Sequence, residues 1–249
     1  MTRIIALANH KGGVGKTTTA AALGAGLASM GRRVLLVDLD AQANLTASFM
    51  GDVEPGETIY EALRGEAALP IIPMGERLDL VPSSLDMAGV DIELTNRYSR
   101  EYVLRKLLKP VSGDYDYILL DCPPSLGLVT VNAFVAANEL FIPLTAEALP
   151  ARGLKRLTDI LQTVRENLNE GISLTGIVIT RWEGTTLSKT VEERLREVFG
   201  GIIFKTRIRK NVALAEAQLY AKGIEAYAPE SNGAKDYKAL TLEVLEQEK

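Results

Sequence analysis

The chain has 249 residues, of which 47% are hydrophobic and 24% are charged, as in an ordinary soluble globular protein. This length can bury the core of one large α/β domain, and we expect a single domain over residues 1–249. No run of eighteen apolar residues occurs, which excludes a transmembrane helix, and the N-terminus enters the first predicted strand directly, so we expect no signal peptide. The single cysteine, Cys122, excludes an internal disulfide and fits a reducing cytoplasm.

The net charge of −4 argues against attraction of the whole surface to nucleic acid. The charge is uneven, however, because residues 152–210 contain twelve Lys or Arg against seven Asp or Glu. This asymmetry indicates a basic face on an otherwise acidic body. Ordinary charges scattered over helix surfaces would give the same count, so composition alone leaves both interpretations open.

Apolar strand-like runs alternate with helical patterns, which is typical of βα units on a mainly parallel central sheet with helices on both faces. Strands are predicted at residues 3–8, 34–38, 78–82, 117–121, 140–143, 174–180 and 202–204. Helices are predicted at residues 18–30, within 40–50, and at 58–63, 85–95, 97–108, 129–137, 152–168, 189–199 and 234–246. No repeat, low-complexity tract or linker interrupts this α/β pattern.

A glycine-rich turn joins the first strand to the first helix, and it reads Lys11-Gly12-Gly13-Val14-Gly15-Lys16-Thr17-Thr18. Glycines without a Cβ let successive backbone N–H groups converge on phosphate oxygens, and the helix adds the positive end of its dipole. Lys16 supplies a cation for the terminal phosphates, and the Thr17 hydroxyl is placed to ligate Mg²⁺. The sequence therefore predicts a site for Mg²⁺ and ATP.

One position departs from the usual pattern G-x-x-x-x-G-K-S/T, because His10 stands where the first glycine is expected. A second lysine, Lys11, follows it. This spelling resembles the deviant Walker A box of the ParA/MinD family of ATPases, which implies a P-loop NTPase-like fold. In that family the early lysine reaches across a nucleotide-sandwich dimer to the partner's phosphates. We interpret His10 as a residue that shapes the loop rather than as a general base.

Two acids, Asp38 and Asp40, close the second strand. Because parallel strands end at one edge of the sheet, both acids can face the phosphates. By resemblance to the family's switch I segment, Asp40 orients the attacking water and Asp38 orders the site from further out. Without the resemblance, an acid at a strand end is more often a surface cap. Ala41 and Ala43 stand where the family usually has Pro and Gly, which brings the flexibility of this segment into question.

Another apolar strand ends in Asp121-Cys122-Pro123-Pro124, the arrangement of a Walker B carboxylate. Asp121 is expected to hold Mg²⁺ through a bound water, and the D-x-P-P spelling resembles the family's switch II. Cys122 also suggests a cluster ligand, because the nitrogenase iron protein is a relative. That cluster needs two cysteines from each subunit, so a structural thiol is the better interpretation.

The resemblance continues through residues 143–168, 177–188, 211–217 and 233–237, which are most like short ParA/Soj-type partition ATPases. It implies slow hydrolysis of ATP by a homodimer that binds double-stranded DNA without sequence preference in the cytoplasm, on the nucleoid. It also implies a ParB-like stimulating protein and a chromosome, plasmid or other cargo. The short N-terminus predicts no separate domain that reads a specific operator.

Six basic residues are the candidates for DNA contact, since Lys and Arg bind phosphates without regard to sequence. They are Arg194, Arg196, Lys205, Arg207, Arg209 and Lys210. Ala213 stands where close relatives often carry an arginine, so one expected contact is missing or moved. A solvated strand edge with ordinary charges is the alternative interpretation.

Two other functions are alternatives for this sequence. A MinD-like membrane-cycling regulator of division placement needs a basic amphipathic C-terminal helix, whereas the tail from residue 234 has three Lys against four Asp or Glu. Its apolar residues are better explained by packing on the domain, so we expect no stable membrane anchoring. A small-molecule ligase such as dethiobiotin synthetase is built on a related nucleotide fold, but no motif here marks a substrate pocket, and Lys11 with the two switch sequences points away from this function.

Overall fold

The computed structural model describes residues 1–146 and 151–248. Two parts of the chain lie outside the described residues. They are residues 147–150, within the segment 143–168 that resembles ParA/Soj-type ATPases, and Lys249 at the end of the predicted C-terminal tail. The described chain forms an eight-stranded sheet. Its strands are β1 (Arg3–Leu7), β2 (Val34–Asp38), β3 (Ile72–Gly75), β4 (Leu78–Val81), β5 (Tyr117–Asp121), β6 (Glu139–Thr145), β7 (Ser173–Trp182) and β8 (Ile203–Arg209).

The strand order is β3-β4-β2-β5-β1-β6-β7-β8, and every pairing is parallel except the antiparallel pairing of β3 with β4. The mainly parallel α/β sheet is confirmed. The edge strand β3 was not predicted, because it has only four residues and contains Pro73. Proline has no N–H for a ladder, which confines it to edges and bulges.

The helices flank the sheet on both faces, as predicted. They are α1 (Lys16–Ser29), α2 (Asn44–Met50), α3 (Ile59–Arg64), α4 (Val90–Leu94), α5 (Val103–Leu108), α6 (Leu128–Ala136), α7 (Ala151–Asn167), α8 (Thr186–Phe199), α9 (Val212–Leu219), α10 (Ile224–Tyr227) and α11 (Asn232–Glu246). The predicted helix at 85–95 divides into a 3-10 turn and α4, and α9 and α10 were not predicted. None of the helices in the described residues combines the length and hydropathy needed to cross a membrane.

The central strands separate two apolar cores. In β5, Ile118 and Leu120 face the core that includes α3 to α8, whereas Tyr117 and Leu119 face the core that includes α1, α2 and α11. Side chains alternate across a strand, so a strand covered on both faces is apolar at every position. This double burial explains why the central strands were readily predicted.

The register of three central strands brings the site together. Leu7 at the end of β1 lies opposite Asp121 at the end of β5, and Asp121 also lies opposite Asp38 at the end of β2. The glycine-rich loop and both acidic segments therefore leave the sheet side by side at its carboxyl edge. Ligands of open α/β sheets bind at this edge.

Candidate nucleotide-binding site

The glycine-rich loop has the backbone geometry of an anion site. Gly13 and Gly15 have φ of +71° and +85°, in the left-handed region that residues with a side chain rarely adopt. Among the described residues other than its own chain neighbours, no heavy atom lies within 4 Å of the position a Cβ would take on Gly12 or Gly13. The N-cap residue of α1 is Gly15, which has no side chain to cap the helix, and the first turn holds no acid, so the leading N–H groups are available to a ligand.

The loop is anchored to the neighbouring strands β6 and β7. The Asn9 side-chain amide donates a 2.8 Å hydrogen bond to the carbonyl of Pro143. The buried Thr180 hydroxyl lies 2.8 Å from the Val14 carbonyl and 3.1 Å from that of Leu144. Sequence reasoning missed both anchors, because they join positions more than 130 residues apart.

His10 and Lys11 lie exposed at the beginning of the loop. A Cβ on Gly153 of α7 would lie 1.5 Å from His10 Cε1, so the imidazole covers this glycine. The backbone N–H of Lys11 donates to the Asn9 side-chain oxygen at 3.1 Å. The residue that replaces the usual glycine thus packs the phosphate loop against α7.

Lys16 is 7% exposed, and it lies close enough to the carboxylate of Asp121 to lower that group's pKa. Burial is the larger effect and raises the pKa of Asp121 well above its ordinary value, as does the neighbouring Asp38 carboxylate. The Thr17 hydroxyl also lowers this pKa, yet within residues 1–146 and 151–248 neither Asp121 oxygen has a partner with hydrogen-bond geometry. A buried, unpartnered carboxylate beside a hydroxyl is an oxygen donor set that suits Mg²⁺.

Asp38 is equally buried but fully partnered. Its carboxylate accepts hydrogen bonds from the N–H and the hydroxyl of Thr46, both at 2.8 Å, and from the N–H of Asp40 at 3.1 Å. Burial nevertheless raises the pKa of Asp38 to about 6. Because its carboxylate oxygens accept these three hydrogen bonds, Asp38 holds Asp40 and Thr46 in place in the segment that follows β2.

Asp40 is half-exposed and lines the cleft above the loop. Its carboxylate accepts from the Gln42 N–H at 3.0 Å, and its carbonyl accepts from the Ser83 hydroxyl at 2.8 Å. Ala43 follows with φ of +49°, the left-handed conformation that favours glycine. The segment therefore keeps a glycine-like backbone with an alanine side chain.

The loop and Asp40 border a cleft of about 880 Å³. Its far wall was not predicted as a binding surface and includes Arg181, Asn211, Leu214 and Gln218. The Gln218 side-chain amide donates to the Thr18 hydroxyl at 3.3 Å, which joins α9 to the phosphate loop. The α9 sequence lacks an amphipathic period, so only its resemblance to the family pointed to this region.

Cys122 is fully buried below this edge. Burial raises the pKa of its thiol, and the neighbouring Asp121 carboxylate adds to that effect. A thiol in this setting stays protonated at neutral pH and is unreactive. Among the described residues, no group of three or more His, Cys, Asp or Glu side chains could hold a metal by itself.

Of the six basic residues predicted to contact DNA, Arg194 and Lys205 are exposed and make no ion pair within residues 1–146 and 151–248. The other four pair with acids, so the basic face has less uncompensated charge than the sequence count indicates. The pairs are Arg196–Glu192, Arg207–Glu192, Arg209–Asp236 and Lys210–Glu183. Two of these four, Arg209 and Lys210, line the nucleotide cleft.

Comparison with known proteins agrees with this geometry. The model of a family described as AAA domain matches residues 2–174. The chromosome-partitioning ATPase Soj of Thermus thermophilus is 43% identical over 244 residues, which cover 98% of this chain and 95% of that protein. The chromosome partitioning protein ParA of Myxococcus xanthus is 40% identical over 252 residues, which cover 99% of this chain and 89% of that protein.

A solved structure has the same fold. Cobyrinic acid a,c-diamide synthase from Mycobacterium smegmatis, crystallised with ADP and magnesium, matches with a TM-score of 0.87 and 33% identity over 99% of this chain and 95% of that chain. The same protein has also been crystallised with an ATP analog and magnesium. From the family match, the identity to Soj and ParA and the shared fold, we conclude that this chain belongs to the AAA-domain family, among its ParA/MinD-type ATPases.

Proposed function

We propose that this chain is a partition ATPase that dimerises on binding ATP, binds DNA without sequence preference and positions a chromosome, a plasmid or another cargo. The observation that carries the proposal is the two-lysine phosphate loop at the sheet edge where Asp40 and Asp121 also lie. The relationship to Soj and ParA supports partitioning as the output.

The nucleotide phosphates bind at residues 12–18, where the open glycine backbone and the uncapped start of α1 supply N–H donors. Lys16 adds positive charge from a nearly buried position. The Thr17 hydroxyl and the unpartnered Asp121 carboxylate would hold Mg²⁺ there. When bound, Mg²⁺ neutralises phosphate charge, which favours transfer of the terminal phosphoryl group.

The nucleoside lies along the far wall of the cleft. Leu214 supplies apolar surface there, and Asn211 and Gln218 supply amide groups. Small-molecule sites commonly combine an apolar lining with a few polar groups that fix orientation. Because Gln218 is also bonded to Thr18, α9 links the nucleoside wall to the phosphate loop.

Hydrolysis uses Asp40 to orient the attacking water and Lys11 from the partner protomer to complete charge neutralisation. Asp40 and Pro124 border the same cleft, so one terminal phosphate can contact both acidic segments. Its loss removes those contacts and weakens the dimer together with its DNA face. We expect slow hydrolysis by the chain alone and faster hydrolysis with DNA and a ParB-like protein.

The C-terminal helix argues against the MinD-like alternative. Tyr237, Leu240 and Val244 of α11 are at most 3% exposed and pack in the core that includes α1. An interfacial helix must instead present its apolar face to lipid. Co-sedimentation with anionic liposomes in the presence of ATP would favour that alternative over the one proposed.

Sedimentation velocity with and without a DNA duplex, in ADP and in ATP, tests the proposal. We expect a monomer in ADP, a dimer in ATP, and a longer-lived DNA-bound dimer in the Asp40→Ala variant. Lys11→Ala and Lys16→Ala should remove both dimer and DNA binding. Lys106→Ala, which removes an exposed lysine of α5, is the matched control and should behave like the parent. DNA binding that is equal in ADP, in ATP and in Lys16→Ala would contradict the proposed coupling.

A further inference from the structure

The last strand of the sheet, β8, presents a row of cations. Phe204 and Ile208 point into a core, so Lys205, Arg207 and Arg209 project from the opposite side of the strand. Successive residues on one side of a strand are about 7 Å apart. Arg209 is paired with an acid, because its guanidinium donates three hydrogen bonds to the Asp236 carboxylate.

Arg207 is held in one orientation with part of its guanidinium unused. Its Nε donates a 2.7 Å hydrogen bond to Glu192, and its Cζ lies 5.0 Å from the centre of the Trp182 ring. The two terminal nitrogens make no hydrogen bond to the described residues, and the side chain is 43% exposed. Glu192 holds the Nε edge of this guanidinium and Trp182 covers one of its faces. The two terminal nitrogens are left to donate a pair of hydrogen bonds to phosphate oxygens.

Glu192 does not cancel this charge, because it is shared. Its carboxylate accepts from both Arg196 and Arg207, at 2.8 Å and 2.7 Å, and is 6% exposed. Burial alone would raise the pKa of Glu192, but the hydrogen bonds from the two arginines lower it overall. The cluster of two arginines and one glutamate therefore carries one net positive charge.

Arg196, the other arginine of this cluster, has no comparable free edge. Besides Glu192, it donates to the carbonyls of Ile203 and Phe204, at 3.3 Å and 3.0 Å. These bonds join α8 to the start of β8. Arg196 thus fixes β8 against α8, whereas Arg207 projects from β8 with its side chain partly exposed to solvent.

We propose that Arg207, positioned by Glu192 and Trp182 and assisted by Lys205, is the contact through which this chain binds DNA backbone phosphates. Arg196 and Arg209 support this surface without touching DNA. The inference rests on the proposed DNA-binding function. It assigns DNA binding to one surface, the side of β8 that carries Lys205, Arg207 and Arg209. Contacts of this kind are independent of base sequence and weaken as salt rises.

The test measures fluorescence anisotropy of a labelled 30-base-pair duplex in a non-hydrolysable ATP analogue across a salt series. Arg207→Ala should weaken binding about tenfold or more and reduce the slope of log K against log salt by about 1.8, because a dimer loses two phosphate contacts. Arg33→Ala is the matched control, since Arg33 is an arginine 50% exposed that precedes β2. It should leave both the affinity and the slope unchanged.

Trp182 separates positioning from charge. Trp182→Ala keeps every cation, so we expect about threefold to tenfold weaker binding with an unchanged salt slope, and Trp182→Phe should restore most of the affinity. Thermal denaturation monitored by circular dichroism checks that each variant is folded. Arg207→Lys provides a second variant of full charge, which should keep the slope but not the affinity.

The outcomes distinguish the two proposals. If the unmodified protein binds no DNA in any nucleotide state, the proposed function fails and this inference fails with it. If the unmodified protein binds DNA and Arg207→Ala binds equally well, or if Arg33→Ala weakens binding as much, only the assignment to β8 is overturned.

Discussion

Replacing Asp121 by asparagine tests whether this buried carboxylate is kept for a ligand rather than for stability. Asp121 is fully buried, and neither of its oxygens has a partner with hydrogen-bond geometry in the part of the chain that the structure describes. The Asp38 carboxylate lies across from it on β2. A buried charge without full compensation destabilises the fold, and a neutral amide of the same shape relieves that cost. We expect the Asp121→Asn variant to be more stable than the parent in the absence of Mg²⁺ and nucleotide.

The gain should be about 1–4 kcal/mol at pH 7.5, the range by which replacing buried ion pairs with uncharged residues can stabilise a protein. For a protein of this size that corresponds to roughly 2–4 °C in Tm for each kcal/mol. The pKa of both Asp38 and Asp121 is raised, so the folded state holds these protons more tightly than the unfolded state. Their contribution to stability is therefore greatest at low pH and is lost as pH rises. For Asp38 the loss falls between about pH 4 and its pKa of about 6.

Urea unfolding followed by circular dichroism, in EDTA at pH 5 and pH 7.5, measures both effects. The stability gap between Asp121→Asn and the parent should be smaller at pH 5 than at pH 7.5, because a lower pH favours the protonated form of a buried carboxyl group whose pKa is raised. Adding MgATP should stabilise the parent and stabilise the variant less, because only the parent retains the carboxylate. Asp52→Asn, at an exposed aspartate, is the control and should show neither change. A variant that is less stable than the parent in EDTA at pH 7.5 would refute the reasoning.

Three further substitutions test the loops around the cleft. Thr180→Val removes the hydroxyl that bonds the Val14 carbonyl, so we expect a loss of about 1–3 kcal/mol in urea unfolding and weaker ATP binding by calorimetry, with Thr180→Ser retaining both. Ala43→Gly removes the strain of an alanine in the left-handed backbone conformation and should raise the free energy of unfolding by about 1 kcal/mol. A decrease of the same size would show that the backbone at Ala43 is not strained. Gly153→Ala should lower Tm in the parent, where the new methyl meets His10, but raise it slightly in a His10→Ala background.

Much of the candidate site could be predicted because its residues lie in short, continuous sequence motifs. The loop from Lys11 to Thr18 is one continuous segment, and two of its three glycines, Gly13 and Gly15, occupy the positions with positive φ. Asp38 and Asp121 each end an apolar run, and the parallel pairing of strands then determines that they meet. Ala43 has the backbone conformation expected of the glycine that the family usually carries at that position.

The parts that sequence reasoning missed depend on distant partners. Arg207 and Glu192 are 15 residues apart, and Arg209 and Asp236 are 27 apart, so no helical or strand period pairs them in advance. A run of basic residues without a nearby acid therefore looked more positive than it is in the folded protein. The far wall of the cleft was missed for the same reason, since α9 is fixed by contacts with α2 and the phosphate loop rather than by its own pattern.

The C-terminal helix explains how the late part of the chain is tied to the nucleotide site. The Tyr237 hydroxyl lies 3.1 Å from that of Thr19 on α1, and the preceding residue, Asp236, holds Arg209 at the edge of the cleft. Arg209 is two residues from Arg207 along the same strand. A movement of α1 that left α11 in place would break the buried hydrogen bond between Thr19 and Tyr237, which costs about 1–3 kcal/mol. Joint movement of α1 and α11 avoids that loss, and the ion pair between Asp236 and Arg209 connects α11 to the strand that carries the proposed DNA contact.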